Sequence, residues 1–197
     1  MKSLGSTARL AIVCALGGVA LFGCHHSSSS DDPYTPDRVA AIRQQLKYHH
    51  VAVHPFTATP KVDDPATALT DCHDSAVAFL KAKSVFASVD NAAADDAPDT
   101  LVADVEVEDM RIVGGAARFW AGAMAGSSFM HVKLTLRDAS SHAVVFERPI
   151  ETDNNAFAAS WSWGASDRNL PGNVGVAIAD LVIQVAQGQT PPVQVAQ

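Results

Sequence analysis

Cys72, His73 and Asp74 stand in succession. A thiol, an imidazole and a carboxylate are the groups from which nucleophilic catalysis or metal binding is built. Their spacing works against both, because successive side chains on a helix point about 100° apart and cannot close on one ion. Cys72 instead shares a stripe with Leu69, Ala76 and Phe79, where cysteine behaves as a small hydrophobe. Asp71 and Asp74 beside it would disfavour a thiolate. Among the eight histidines there is no HExxH and no spacing of a structural zinc site, so His49, His50 and the others read as solvent-facing. The chain has no G-x-S-x-G elbow and no P-loop ending. Asp104 and Glu106 read as the wet face of a strand rather than a glycosidase couple. No catalytic residue, metal or cofactor is expected, and the protein is read as not an enzyme.

Two stretches suggest contact rather than chemistry. "IVGGAARFWAGAMAGSSFM", residues 112–130, holds four glycines, five alanines and a single charge. Within it Gly115, Arg118, Phe119, Trp120, Gly122 and Gly126 form a candidate contact surface, since glycines let a backbone approach closely and aromatics beside an arginine are typical interface anchors. A connection tucked over the core would use the same features. "FAASWSWGASD" places Trp161 and Trp163 two apart, which on a strand puts both on one face, either as an apolar platform or as cover for the open end of the sheet.

The amino terminus carries a different kind of signal. Lys2 and Arg9 precede 13 apolar or glycine residues, Leu10 to Phe22. A membrane span needs roughly 20, so this segment has the length and flanks of a secretory leader. It ends in Leu21-Phe22-Gly23-Cys24, similar to the lipobox of bacterial lipoproteins, where cleavage precedes an acylated cysteine. Two or three acyl chains hold a protein firmly where one does not. Cys24 is therefore expected to be a lipid anchor. The expected organisation is a leader over 1–23, a polar tether over 24–37, one domain over 38–187 and a loose tail over 188–197.

The formal charge of −7 becomes more negative once Lys2 and Arg9 are removed. That argues against nucleic acid and anionic lipid headgroups as bulk partners. Cys14 leaves with the leader and Cys24 is acylated, so Cys72 has no internal disulfide partner and the core must hold by packing.

The elements that would carry these residues follow from periodicity. A helix is expected over 37–47, capped by Asp37, then a strand in "HHVAVHPFTAT" with Val51, Val53 and Pro55 opposed to Ala52, His54 and Phe56. A helix over 65–82 starts at Asp64-Pro65, and "SVFASVD" follows as a short strand. In "TLVADVEVEDMRIV" the apolar phase slips after Val107, which requires a bulge near Glu108 and Asp109. "FMHVKLTLRD" turns through "DASSH" into "AVVFERPI", and a final helix spans 171–187. The expected fold class is α+β: a mainly antiparallel sheet with two to three packed helices, a strand-helix-strand opening and a C-terminal helix.

"VAVHPF" at 51–56, "KSVFASVD" at 83–90 and the long run from Leu101 to Asp138 together resemble the bacterial envelope lipoproteins of domain of unknown function 4410. The most specific element is the Gly115, Arg118, Gly122, Gly126-Ser127 series followed by an alternating strand and Asp138. The resemblance covers about residues 48–187 and implies no established activity. The opening is also similar to periplasmic domains of curli-secretion lipoproteins and of the Tol-system propeller protein, which are assembly parts. His25, where an aspartate often retains a lipoprotein at the inner membrane, implies the outer membrane. The expected role is a periplasm-facing, lipid-anchored interaction or assembly component. Its expected partners are the membrane, through its acyl chains, and an envelope protein, with a second copy as one option. A binding module for a small apolar ligand or cell-wall fragment is the alternative.

Overall fold

The computed structural model describes residues 32–91, 97–112, 128–153 and 169–189. Among the described residues three helices, α1 (Pro36–Gln45), α2 (Ala66–Lys83) and α3 (Leu170–Ala186), accompany six strands. These are β1 (His50–Val53), β2 (Thr57–Ala58), β3 (Ser88–Asp90), β4 (Thr100–Arg111), β5 (Phe129–Asp138) and β6 (Val144–Asp153). They form one sheet in the order β3-β1-β4-β5-β6, with β2 also paired to β4. The long meander β4-β5-β6 is antiparallel, and the short pairings of β1 and β2 are parallel. The fold is α+β with a mostly antiparallel sheet and a carboxyl-terminal helix.

Alternation sorts the sheet into two faces. Val51, Val53, Leu101, Ala103, Val105, Val107, Met130, Val132, Leu134 and Leu136 form one cluster with buried residues of all three helices. The phase slip in β4 is a real irregularity, with the register to β5 shifting between Val107 and Asp109, so that Met110 rejoins the inner set opposite Met130. Fully burying side chains such as Leu134 and Leu136, both 0% exposed, stabilises by about 1.5–3 kcal/mol each.

The chain from 50 to 58 differs from a single alternating strand. The strand breaks after Val53 and resumes at Thr57. Across that break the phase inverts, leaving Phe56 buried and Pro55 exposed. Ala52 is also fully buried, with Val102 and Ala139 in a small cluster on the other side of the sheet. α1 begins at Pro36 after Thr35, so Asp37 sits in its first turn, and Pro65 rather than Asp64 precedes α2.

The helix layer is held together by a close crossing. A Cβ built on Gly175 would lie 2.1 Å from the Cys72 carbonyl oxygen and 3.0 Å from the Ala76 nitrogen. Only a glycine lets the two backbones meet there. Cys72, at this crossing, is completely buried, and burial followed by the Asp71 charge pushes its thiol up to about 12. It is packing material, protonated at any physiological pH.

Candidate functional site

Cys24, Gly115, Arg118, Phe119, Trp120, Gly122, Gly126, Trp161 and Trp163 all lie outside the described residues. The described surface with organised polar groups is the sheet face opposite the helices. Strand alternation sends His131, Lys133, Thr135 and Arg137 of β5 to that face. Register sets them beside Asp109, Glu106 and Asp104 on β4 and beside Glu147 and Glu151 on β6. No described helix joins the buried cluster on this side.

The bases here are matched to acids. Asp104 is the centre of one network: its Oδ1 lies 2.8 Å from His54 Nδ1, and its Oδ2 accepts from Arg137 Nε at 2.8 Å. Arg137 lies opposite Val102 in the register, one diagonal step from Asp104, a separation that long side chains span. These groups are about a quarter to a third exposed, so the network orders His54 and Arg137 more than it stabilises the fold. Lys133 Nζ meets Glu147 Oε2 at 3.1 Å, and Thr135 Oγ1 donates to the same oxygen at 3.4 Å. Beside them lies a groove of about 320 Å³ lined by Pro55, Thr57, Asp104, Val105, Glu106, Lys133 and Thr135. Its hydroxyls, carboxylates and ammonium suit a polar partner.

The histidines are tied rather than loose. His49 Nδ1 lies 2.6 Å from Asp99 Oδ2 and His50 Nδ1 lies 2.9 Å from Ser88 Oγ. His73 stacks edge-on to Phe56 at 5.2 Å and is only 13% exposed. The solvent-facing reading is therefore too simple for His54 and His73. Among the described residues no three His, Cys, Asp or Glu groups converge on a metal position. Asp104 and Arg137 were both legible as outward-facing. Their network with His54 was not, since it depends on a pairing across about fifty residues.

Asp138 closes the β5–β6 turn. Its Oδ1 accepts from the Ser140 hydroxyl at 2.7 Å and from the Ser140 and Ser141 amides at 3.0 Å, and Tyr48 donates to its Oδ2 at 3.1 Å. The Ser140 hydroxyl first, then the Ser141 amide, hold this carboxyl well below the usual carboxylate range. A depressed pKa contributes stability that is complete above the unfolded carboxylate value, about 3.9, and is lost as pH falls below it. Replacing Asp138 with alanine should lower the urea midpoint at pH 6 and shrink the further drop on acidification to pH 3. An equal acid-induced drop in both proteins would contradict this.

Comparison with known proteins places the domain. A family model described as a domain of unknown function, DUF4410, matches residues 35–177, most of the chain. The chain belongs to the DUF4410 family. No curated protein matches it. Among solved structures this DUF4410 chain is similar to the PelC dodecamer of Paraburkholderia phytofirmans. The two are 20% identical, over 67% of this chain and 86% of that one, with a TM-score of 0.46. A Xanthomonas campestris protein of family DUF330 is 14% identical over 72% of this chain and 86% of that one, with a TM-score of 0.45. A minor lipoprotein of Acinetobacter baumannii is 12% identical over 73% and 96%, with a TM-score of 0.37. Among the described residues of the DUF4410 chain no helix is long and apolar enough to cross a membrane.

Proposed function

We propose that this protein is a lipid-anchored, periplasm-facing component of the bacterial outer membrane that acts by interaction or assembly rather than catalysis. The observation that carries the reading is the ion-paired sheet face. It offers a pre-ordered polar surface, built on strands up to 12 residues long. Ordered charge of this kind gives a partner register and specificity more than raw affinity. The leader ending at Leu-Phe-Gly-Cys24, the polar tether and membership of the DUF4410 family agree with it. The glycine-rich 114–128 segment and Trp161 and Trp163 remain candidate contacts.

The groove supports a second reading, a module for a cell-wall fragment. Its polar lining fits such a fragment better than an apolar ligand.

A photo-crosslinking residue at Glu106, exposed on the sheet face, tests the first reading in the native envelope. It should give one dominant protein adduct, and the same residue at Ala78, exposed on α2, should give none. Equal adducts from both positions, or none from Glu106, would overturn the proposal.

A further inference from the structure

The sheet ends in one long edge. In the order β3-β1-β4-β5-β6, β3 has three residues and β6 has ten, and among the described residues β6 pairs only with β5. An edge strand presents a row of backbone N–H and C=O groups, whose complement is another extended chain. The register gives the direction of that row. Pro149 lies opposite Lys133, and a proline is accepted in a strand where its missing N–H would have faced out of the sheet. Backbone groups alternate in direction along a strand, so the Glu147 and Glu151 amides face outward with Pro149. Those of Phe146, Arg148 and Ile150 turn towards β5. The side chains divide as well. Phe146 and Ile150, opposite Leu136 and Val132, sit half-buried at the rim of the core. Glu147, Pro149 and Glu151 are exposed on the other face. Lys133 already meets Glu147, whereas Glu151 has no charged partner among the described residues. The regular run ends at Phe146, because the register shifts between Leu136 and Arg137 and passes over Val145.

We propose that β6 takes up a strand from an envelope protein partner, an extended segment that sets a base against Glu151 and apolar side chains beside Phe146 and Ile150. The inference rests on the reading of this chain as an interaction component and deepens it, since the added strand would continue the ion-paired sheet face. A second copy of β6 fits less well. Antiparallel pairing about a two-fold axis centred on Glu147, Pro149 or Glu151 sets acid against acid, and a centre at Arg148 sets that residue against itself. Like charges directly opposite are destabilising. A centre at Phe146 runs into the irregularity at Val145. Charges placed on an edge in this way guard against self-pairing, yet they admit a strand of complementary charge. A foreign strand with a base opposite Glu151 gains that pair, and alternation carries its neighbouring residues to the half-buried side. Backbone bonds supply the attachment, and the side-chain pairs choose the partner.

The mature full chain, mixed with the acetylated and amidated peptide Thr-Lys-Val-Thr-Thr-Thr-Val-Thr, provides the test by residue-resolved amide exchange. In antiparallel register the peptide's lysine falls opposite Glu151 and its valines opposite Ile150 and Phe146. The Glu147 and Glu151 amides should exchange rapidly in the free protein and several-fold more slowly with the peptide. Those of Phe146 and Ile150 should be protected throughout. Glutamate in place of the peptide's lysine should weaken binding by up to about fivefold, and Glu151→Lys in the protein should reverse the preference between the two peptides. No slowing with either peptide, or slowing indifferent to the peptide's charge, would overturn the proposal. So would Glu147 and Glu151 amides already protected without peptide, which would show the edge covered by the chain itself, or by a second copy where the protection rises with protein concentration. The Glu106 crosslink reads the partner separately. A dominant adduct there with no slowing at β6 discards strand addition and keeps the interaction reading.

Discussion

Gly175→Ala should destabilise the domain by about 3 kcal/mol, although alanine is the better helix former. In an exposed helix interior the exchange gains about 1 kcal/mol. Here the added methyl would lie 2.1 Å from a backbone oxygen and 3.0 Å from a backbone nitrogen, and neither can rotate aside. α2 and α3 must separate, loosening Val174, Ile178 and Val182 from the buried cluster they share with Cys72 and Ala76. Forced overpacking of this kind costs about 1–3 kcal/mol and occasionally more. Gly172→Ala is the internal control. Its Cβ would approach the Ser75 hydroxyl at 3.1 Å, the end of a side chain that can turn away, so the change should stay within about 1 kcal/mol. Denaturant unfolding of both variants checks the pair, and equal midpoints would show that the crossing yields without loss. For a domain whose total stability is of order 5–15 kcal/mol, the larger effect decides whether the chain stays folded in a cell.

Cys24→Ala should move the protein from the membrane fraction to the soluble fraction, an all-or-none change. The 13-residue apolar run before it falls short of the roughly 20 residues that span hydrocarbon. No described helix supplies a span either, so on this reading attachment depends on acyl chains, each contributing about 0.8 kcal/mol per buried methylene. Intact mass of the wild type should show Cys24 as the first residue, carrying those chains. An unmodified Cys24 would remove the basis for the anchor.

Local pattern carried much of this fold. The alternation of Met130, Val132, Leu134 and Leu136 assigned a face of β5 correctly, and the slip after Val107 located the β4 bulge. The "DASSH" turn announced the β5–β6 hairpin. What pattern missed depends on distant partners. Phe56 turns inward because the strand stops at Val53 and restarts at Thr57 along β4, a break that alternation within the segment does not record. Gly175 reads in sequence as a weak helix residue, and its need appears only when Cys72 is set against it. The final helix buries Ala179 and Ile183 as well as Val174, Ile178 and Val182, because it meets both the sheet and α2. The same limit hid the His54–Asp104–Arg137 network.

The parallel placement of β1 also sets an order of events. β5 and β6 meet across a turn of a few residues, whereas Val51 pairs with Val89 and Leu101, the second some fifty positions away. Loop-closure entropy grows as the logarithm of length, so the longer closure costs roughly 2 kcal/mol more, and such non-local pairings slow folding. β1 has no strand neighbour on its own side of the sequence. As the chain emerges amino terminus first, its opening third must wait, unpaired, until β3 and β4 arrive to enclose it. The hydrophobic stretch from Val51 to Phe56 is therefore the segment longest exposed to chaperones, and to mispairing, before the domain closes.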